Sequence, residues 1–167
     1  MWVYIVDSNF FIQAHRDTYP LDIAYSFWNK VKQLALDGKI ISIDKVKNEI
    51  YGKNDALELW CRNNLPDNFF IDTSEVVDNE YREVIRWAYS KSSHYLEKAL
   101  NEFLDADEAD AFIVAYALKD KTNRTIVTQE VSRPEMKSKI KIPEPCDAFN
   151  IRYLRVMEMF RELRETF

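Results

Sequence analysis

Residues 2–12 read WVYIVDSNFFI. The first five form an unbroken apolar run rich in β-branched and aromatic side chains, which suits a strand buried on both faces of a parallel sheet. Asp7 ends the run. A helix then begins within SNFFIQAHRD, with Asp7, Ser8 or Asn9 as its cap. The order strand, acid, helix returns at residues 40–52, IISIDKVKNEIYG. There IISI reads as a second buried strand, Asp44 starts a short helix, and Gly52 lies just past its end.

Between these units Pro20 separates the first helix from a second over residues 21–37, which Gly38 closes. Residues 55–103 are mostly helical, interrupted by PDNFFIDT, which holds a brief strand. DADEADAFIVAYALKD at 105–120 is the clearest helix. Asp105 and Glu108 have capping-box spacing, and Asp110, Ile113 or Val114, Ala117 and Leu118 recur at helical intervals. TIVT at 125–128 reads as a strand and IKI at 140–142 as a shorter one. A final amphipathic helix over 151–165 turns Ile151, Leu154, Met157 or Met159, Phe160 and Leu163 toward the sheet. Strands alternating with helices predict an α/β fold, a central, mostly parallel, twisted sheet with helices on both faces.

The chain's 167 residues, 47% of them hydrophobic and with only two Gly, suit one domain over 1–167 with a substantial core. No apolar run approaches the roughly 20 residues that cross a bilayer, and the sequence opens without a basic leader, so a cytoplasmic protein without a membrane role is expected. Cys61 and Cys146 stand far apart and read as packing residues; His15 and His94 are equally isolated. Neither pair suggests a zinc site or a nucleophilic triad, so chemistry must rest on carboxylates. A net charge of −5 argues against holding nucleic acid through a broad basic surface, although metal ions can supply positive charge locally.

In an open parallel sheet the C-terminal strand ends share one edge, and ligands bind there near the point where strand order reverses. Asp7, Glu49, Asp110 and Glu130, from four segments, are expected at that edge. Asp107, three residues before Asp110, is expected on the same helix face. Clustered carboxylates repel, and a divalent cation with oxygen ligands relieves them. Mg²⁺ or Mn²⁺ at such a cluster suits phosphodiester hydrolysis. Arg133, Lys137, Lys139 and Lys141 follow Glu130 and are candidate RNA-backbone contacts. Trp28, Tyr89 and Tyr95 lie on predicted helices and read as core rather than base-stacking residues.

VDSNFFI, KNEI, DADEADAFIVAYAL and TIVTQE, in this order over residues 2–155, resemble the four motif blocks of the PIN-domain ribonucleases. KIKIPEPCDAFNI further resembles a PIN-like branch related to VapC-type toxins. The resemblance implies a PIN-like fold and a metal-dependent endoribonuclease in which Asp7, Glu49 and Asp110 are the core metal-binding acids. Ser8 or Asn9 would steady the first acid, with Thr128 supporting from the fourth block. The fourth acid departs from the family pattern, which has Asp two residues after the strand-ending Thr where this chain has Glu130. Asp107 and Asp147 are alternative fourth ligands. The resemblance also implies RNA as substrate, an antitoxin protein as partner, and a homodimer. A PIN-like module that binds RNA or protein without turnover is the second reading. A phosphoryl-acceptor domain is a weaker third, because IISID offers only Asp44 and no lysine stands in the expected partner context.

Overall fold

Five strands pair in parallel in a computed structural model of the chain, which describes residues 2–167. They are β1 (Val3–Val6), β2 (Ile40–Ile43), β3 (Phe70–Ile71), β4 (Arg124–Val127) and β5 (Tyr153–Leu154). Their spatial order is β3-β2-β1-β4-β5. The chain builds outward from β1 on one side and then returns to its other side with β4. Strand order therefore reverses between β1 and β4, whose residues pair from Val3 with Arg124 to Val6 with Val127.

Successive strand side chains point to opposite faces, yet Tyr4, Ile5 and Val6 are all buried. Both faces of β1 are thus covered, as the apolar run predicts. The covering helices are α1 (Ser8–Gln13), which continues as a π-helical turn over Ala14–Thr18, α2 (Tyr25–Leu36), α3 (Asp44–Ile50), α4 (Ala56–Asn64) and α5 (Asp78–Ser90). After them come α6 (Glu97–Phe103), α7 (Asp110–Lys119), α8 (Pro143–Phe149) and α9 (Val156–Leu163). One continuous core joins sheet and helices, including Trp28, Tyr95 and both cysteines. Trp28 lies edge-on to Phe27 and Trp60, with centroids 5.3 and 4.8 Å away. The α/β architecture is as the sequence predicts.

Several local expectations are corrected. The helix predicted over 105–120 begins at Asp110, and the Asp105–Glu108 capping box does not form. Instead the Asp105 carboxylate accepts from the Asp107 N–H at 2.8 Å, closing a local turn. This competing turn leaves Asp107 exposed and outside the helix, so it shares no helix face with Asp110. IKI at 140–142 is not a strand; Ile140 and Ile142 are buried by an irregular segment leading into α8, which the sequence reading lacked. The helix predicted over 151–165 is β5 followed by α9, because Leu154 pairs with Val127 and two residues are too few to show strand alternation. Met159 is the buried methionine of α9 and Met157 the exposed one. The helix predicted from residue 21 starts at Tyr25, after a turn in which the Pro20 carbonyl accepts from the Ile23 and Ala24 N–H groups. Tyr89, expected in the core, is 60% exposed.

Candidate functional site

Asp7 leaves β1 at the reversal of strand order and is buried. One carboxylate oxygen accepts from the Phe10 N–H at 3.0 Å, which caps α1. The other accepts from the Thr128 hydroxyl at 3.1 Å, just beyond β4. Thr128 also accepts from the Glu130 N–H at 3.1 Å, so one hydroxyl orients Asp7 and the start of the loop carrying Glu130. Thr128, rather than Ser8 or Asn9, supplies the side-chain hydrogen bond that steadies Asp7; Ser8 and Asn9 line the pocket beside it.

Glu49 reaches from α3 toward the start of α7, where it accepts from the Ala109 N–H at 3.3 Å. That contact joins two elements sixty residues apart in sequence. Asp110, the first residue of α7, lines the same cavity of about 210 Å³, together with Glu49, Glu130, Glu102 and Glu108. Lys139 is the cation on its wall. Of the basic loop residues, Lys139 reaches the pocket, whereas Arg133 donates its backbone N–H to Glu144 and the Lys137 carbonyl accepts from Leu96. Asp147 lies elsewhere, exposed on α8 and within hydrogen-bond distance of the Tyr153 hydroxyl. It does not join the acidic pocket, and neither does Asp107.

Glu102, which sequence reading passed over, and Glu108, which it read as half of a capping pair, are the further pocket acids. Their signal was the acid density of residues 102–110, which carries no periodicity that separates a pocket wall from a solvated turn.

The electrostatics follow from this crowding. Burial pushes the Asp7 carboxyl up to about 7 despite the opposing hydrogen bonds from Phe10 and Thr128, and the negative charges of Glu130 and Glu49 add to the rise. Asp110 is pushed up to about 8, first by burial and then by Glu130 and Asp7, while Lys139 pulls it down. Burial also raises Glu130, against Lys139, Lys141 and a hydrogen bond from the Ile142 N–H to its carboxyl, with Glu144 adding to the rise. Glu108 rises through burial and then through the charges of Glu49, Asp105 and Glu102.

Such a set of oxygen donors, most of them without a countercharge, fits a hard divalent cation. The Glu130 Oε2 atom supports that fit, being buried without any hydrogen-bond partner. Among the described residues, no three of His, Cys, Asp and Glu already stand close enough together to hold a metal. Also among the described residues, no helix is long and apolar enough to cross a membrane.

Over residues 4–167 the chain matches the family described as a domain of unknown function, DUF4411. No curated protein matches it.

Proposed function

The chain belongs to the DUF4411 family, and from its acidic pocket we propose that it is a divalent-metal-dependent endoribonuclease of the PIN-like type. One observation carries the reading. Glu49, Glu102, Asp110 and Glu130, from four separate segments, line one pocket beside the buried Asp7 where strand order reverses, and one of their oxygens, Glu130 Oε2, is buried without a partner among the described residues.

In this reading Asp7, Glu49, Asp110 and Glu130 would hold Mg²⁺ or Mn²⁺. A cation held there would supply Lewis-acid stabilisation of charge developing on phosphoryl oxygens and would lower the pKa of a bound water. Thr128 keeps the Asp7 carboxylate in one orientation, and Glu49 ties α3 to the mouth of α7. Lys139, exposed on the pocket wall, offsets part of the acidic field that an RNA backbone meets on entry. The proposal carries with it a cytoplasmic enzyme acting as the toxin of a bacterial toxin–antitoxin pair, with an antitoxin protein as partner and a homodimeric state.

The test is incubation of a mixed RNA pool with purified protein in Mn²⁺, Mg²⁺ or EDTA, wild type against the double variant Asp7→Asn, Asp110→Asn. Cleavage is expected with metal, is lost in EDTA, and falls at least about a hundredfold in the variant, the order seen when transition-state charge stabilisation is removed. A folded, metal-replete wild type that leaves every RNA intact would exclude the nuclease. The second reading, an RNA- or protein-binding module without turnover, draws on the absence of a preassembled three-acid group among the described residues and on Glu at position 130. Retention of intact RNA in the same experiment would favour it.

A further inference from the structure

A second cavity, of about 140 Å³, lies against the acidic pocket. The two share Asn9, and the consecutive residues Gln129 and Glu130 each border one of them. We propose that this cavity is a subsite for one unpaired pyrimidine base of single-stranded RNA, adjoining the scissile phosphate. This rests on the nuclease reading for its neighbour and on the cavity's own chemistry for its occupant.

The wall is aromatic. Phe27 is fully buried beneath Tyr19, with ring centroids 4.3 Å apart and planes within 14°, so the half-buried Tyr19 is the ring that the wall presents. Met157 closes one side from the exposed face of α9. Around these apolar groups stand three neutral amides, Asn9, Gln13 and Gln129, and among the described residues no charged one lines the cavity. A phosphate or an ionised side chain finds no countercharge there and loses hydration on entry. A neutral ring with polar edges finds the Tyr19 ring, the Met157 side chain and hydrogen-bonding amides.

Size narrows the choice. An apolar cavity of about 150 Å³ accommodates a benzene-sized ring, so this one suits a six-membered pyrimidine better than a fused purine. Polarity narrows it again. The Gln129 side-chain carbonyl accepts from the Val156 N–H at 3.3 Å, which leaves its NH₂ group to donate. Uracil and cytosine both present a ring carbonyl to such a donor. A base can enter only when unpaired and turned out of its stack, which restricts the substrate to single strands, loops or ends.

The deciding experiment separates the subsite from the chemistry. Equilibrium binding of fluorescently labelled oligouridylate and oligoadenylate is measured in EDTA for wild type, Gln129→Ala and Met157→Trp, the last placing a large ring at the cavity mouth. Oligouridylate is expected to bind more tightly than oligoadenylate, and each substitution is expected to weaken it by about tenfold, the order of one lost stacked base, with little effect on oligoadenylate. In parallel, cut sites in a randomised single-stranded RNA are sequenced with Mn²⁺. A pyrimidine fixed at one position beside the cut, randomised in both variants, supports the subsite. Equal affinity for the two oligonucleotides, or variants that change neither binding nor cut-site bias, overturns it. Absence of cleavage with pyrimidine-selective binding intact overturns the nuclease alone.

Discussion

Asp7 shows how a single residue can serve folding and chemistry at once. Its carboxylate caps α1 through the Phe10 N–H and bonds Thr128, yet it is buried among other acids, so its ionisation opposes the fold. The folded-state pKa of Asp7 is pushed up to about 7 from 3.8, and that of Asp110 up to about 8 from 3.8. Over that interval the folded chain binds more protons than the unfolded one, so stability falls as pH rises. The metal-free protein is therefore expected to lose thermal stability from about pH 4 to about pH 8 and to level off above. Asn at position 7 can still accept from Phe10 and, with the Thr128 hydroxyl as acceptor, donate where Asp7 accepted. Asp7→Asn should accordingly melt higher than wild type at pH 8 in EDTA and lose the Asp7 share of the pH dependence, with the share of Asp110 remaining. Thermal denaturation across that range is the check, and a variant less stable than wild type at pH 8 would sink the account.

The helices and turns divide into those that local chemistry specifies and those that tertiary contacts specify. Gly38 follows α2 at φ +70°, a left-handed position that glycine occupies without a Cβ penalty. A Cβ built there meets nothing within 4 Å, so Gly38→Ala should cost about 1 kcal/mol from backbone strain alone, readable in urea unfolding. The start of α4 has a different organiser. Glu58 accepts from the Lys53 and Asn54 N–H groups at 2.8 and 3.1 Å and pairs with Arg62 at 2.9 Å. The Arg62 partner and these N–H groups hold its carboxyl down to about 2, below its ordinary 4.5. A depressed folded-state pKa gives stability that is present above about pH 4.5 and lost as pH falls toward 2. Glu58→Gln should thus weaken the protein at neutral pH and flatten that acid limb of the stability curve. By contrast, no side chain of its own caps α7; Glu49 arrives from α3 to meet Ala109.

Taken whole, the molecule is a sheet with both faces covered and its unbalanced charge gathered at one edge. Relief of that charge by a cation should stabilise the fold, because the unfolded chain has no gathered acids to bind it. At about a hundredfold excess over the dissociation constant, Mn²⁺ is expected to add about 2.7 kcal/mol. For a chain of this length that corresponds to a rise in melting temperature on the order of 5–10 °C. The rise should vanish in the Asp7→Asn, Asp110→Asn variant and should not be reproduced by Na⁺ at equal ionic strength. Differential scanning calorimetry with and without metal decides it; a wild type indifferent to Mn²⁺ would remove the cation from the proposal.

Much of this architecture was legible in the chain because it rests on local signals. WVYIV and IISI are continuous apolar runs, and Asp7 follows the first as a cap, so a doubly covered parallel sheet with an acid at its C-terminal edge could be read without coordinates. The placement of Glu49, Asp110 and Glu130 at that edge followed from strand-then-helix order. What local signals could not decide was which acids face inward. Asp105 and Asp107 sit in the same acidic run as Asp110, but a turn closed by Asp105 keeps Asp107 in solvent while Glu102 and Glu108 join the pocket wall. Nor could they show β5, whose two residues pair with β4 only because the chain returns from α8. Sequence by itself determined the layers, since burial periodicity is a property of neighbours along the chain. Tertiary structure alone decided the membership of the site, since the distance between carboxylates on different segments depends on how α3, α6, α7 and the loop after β4 pack at one edge.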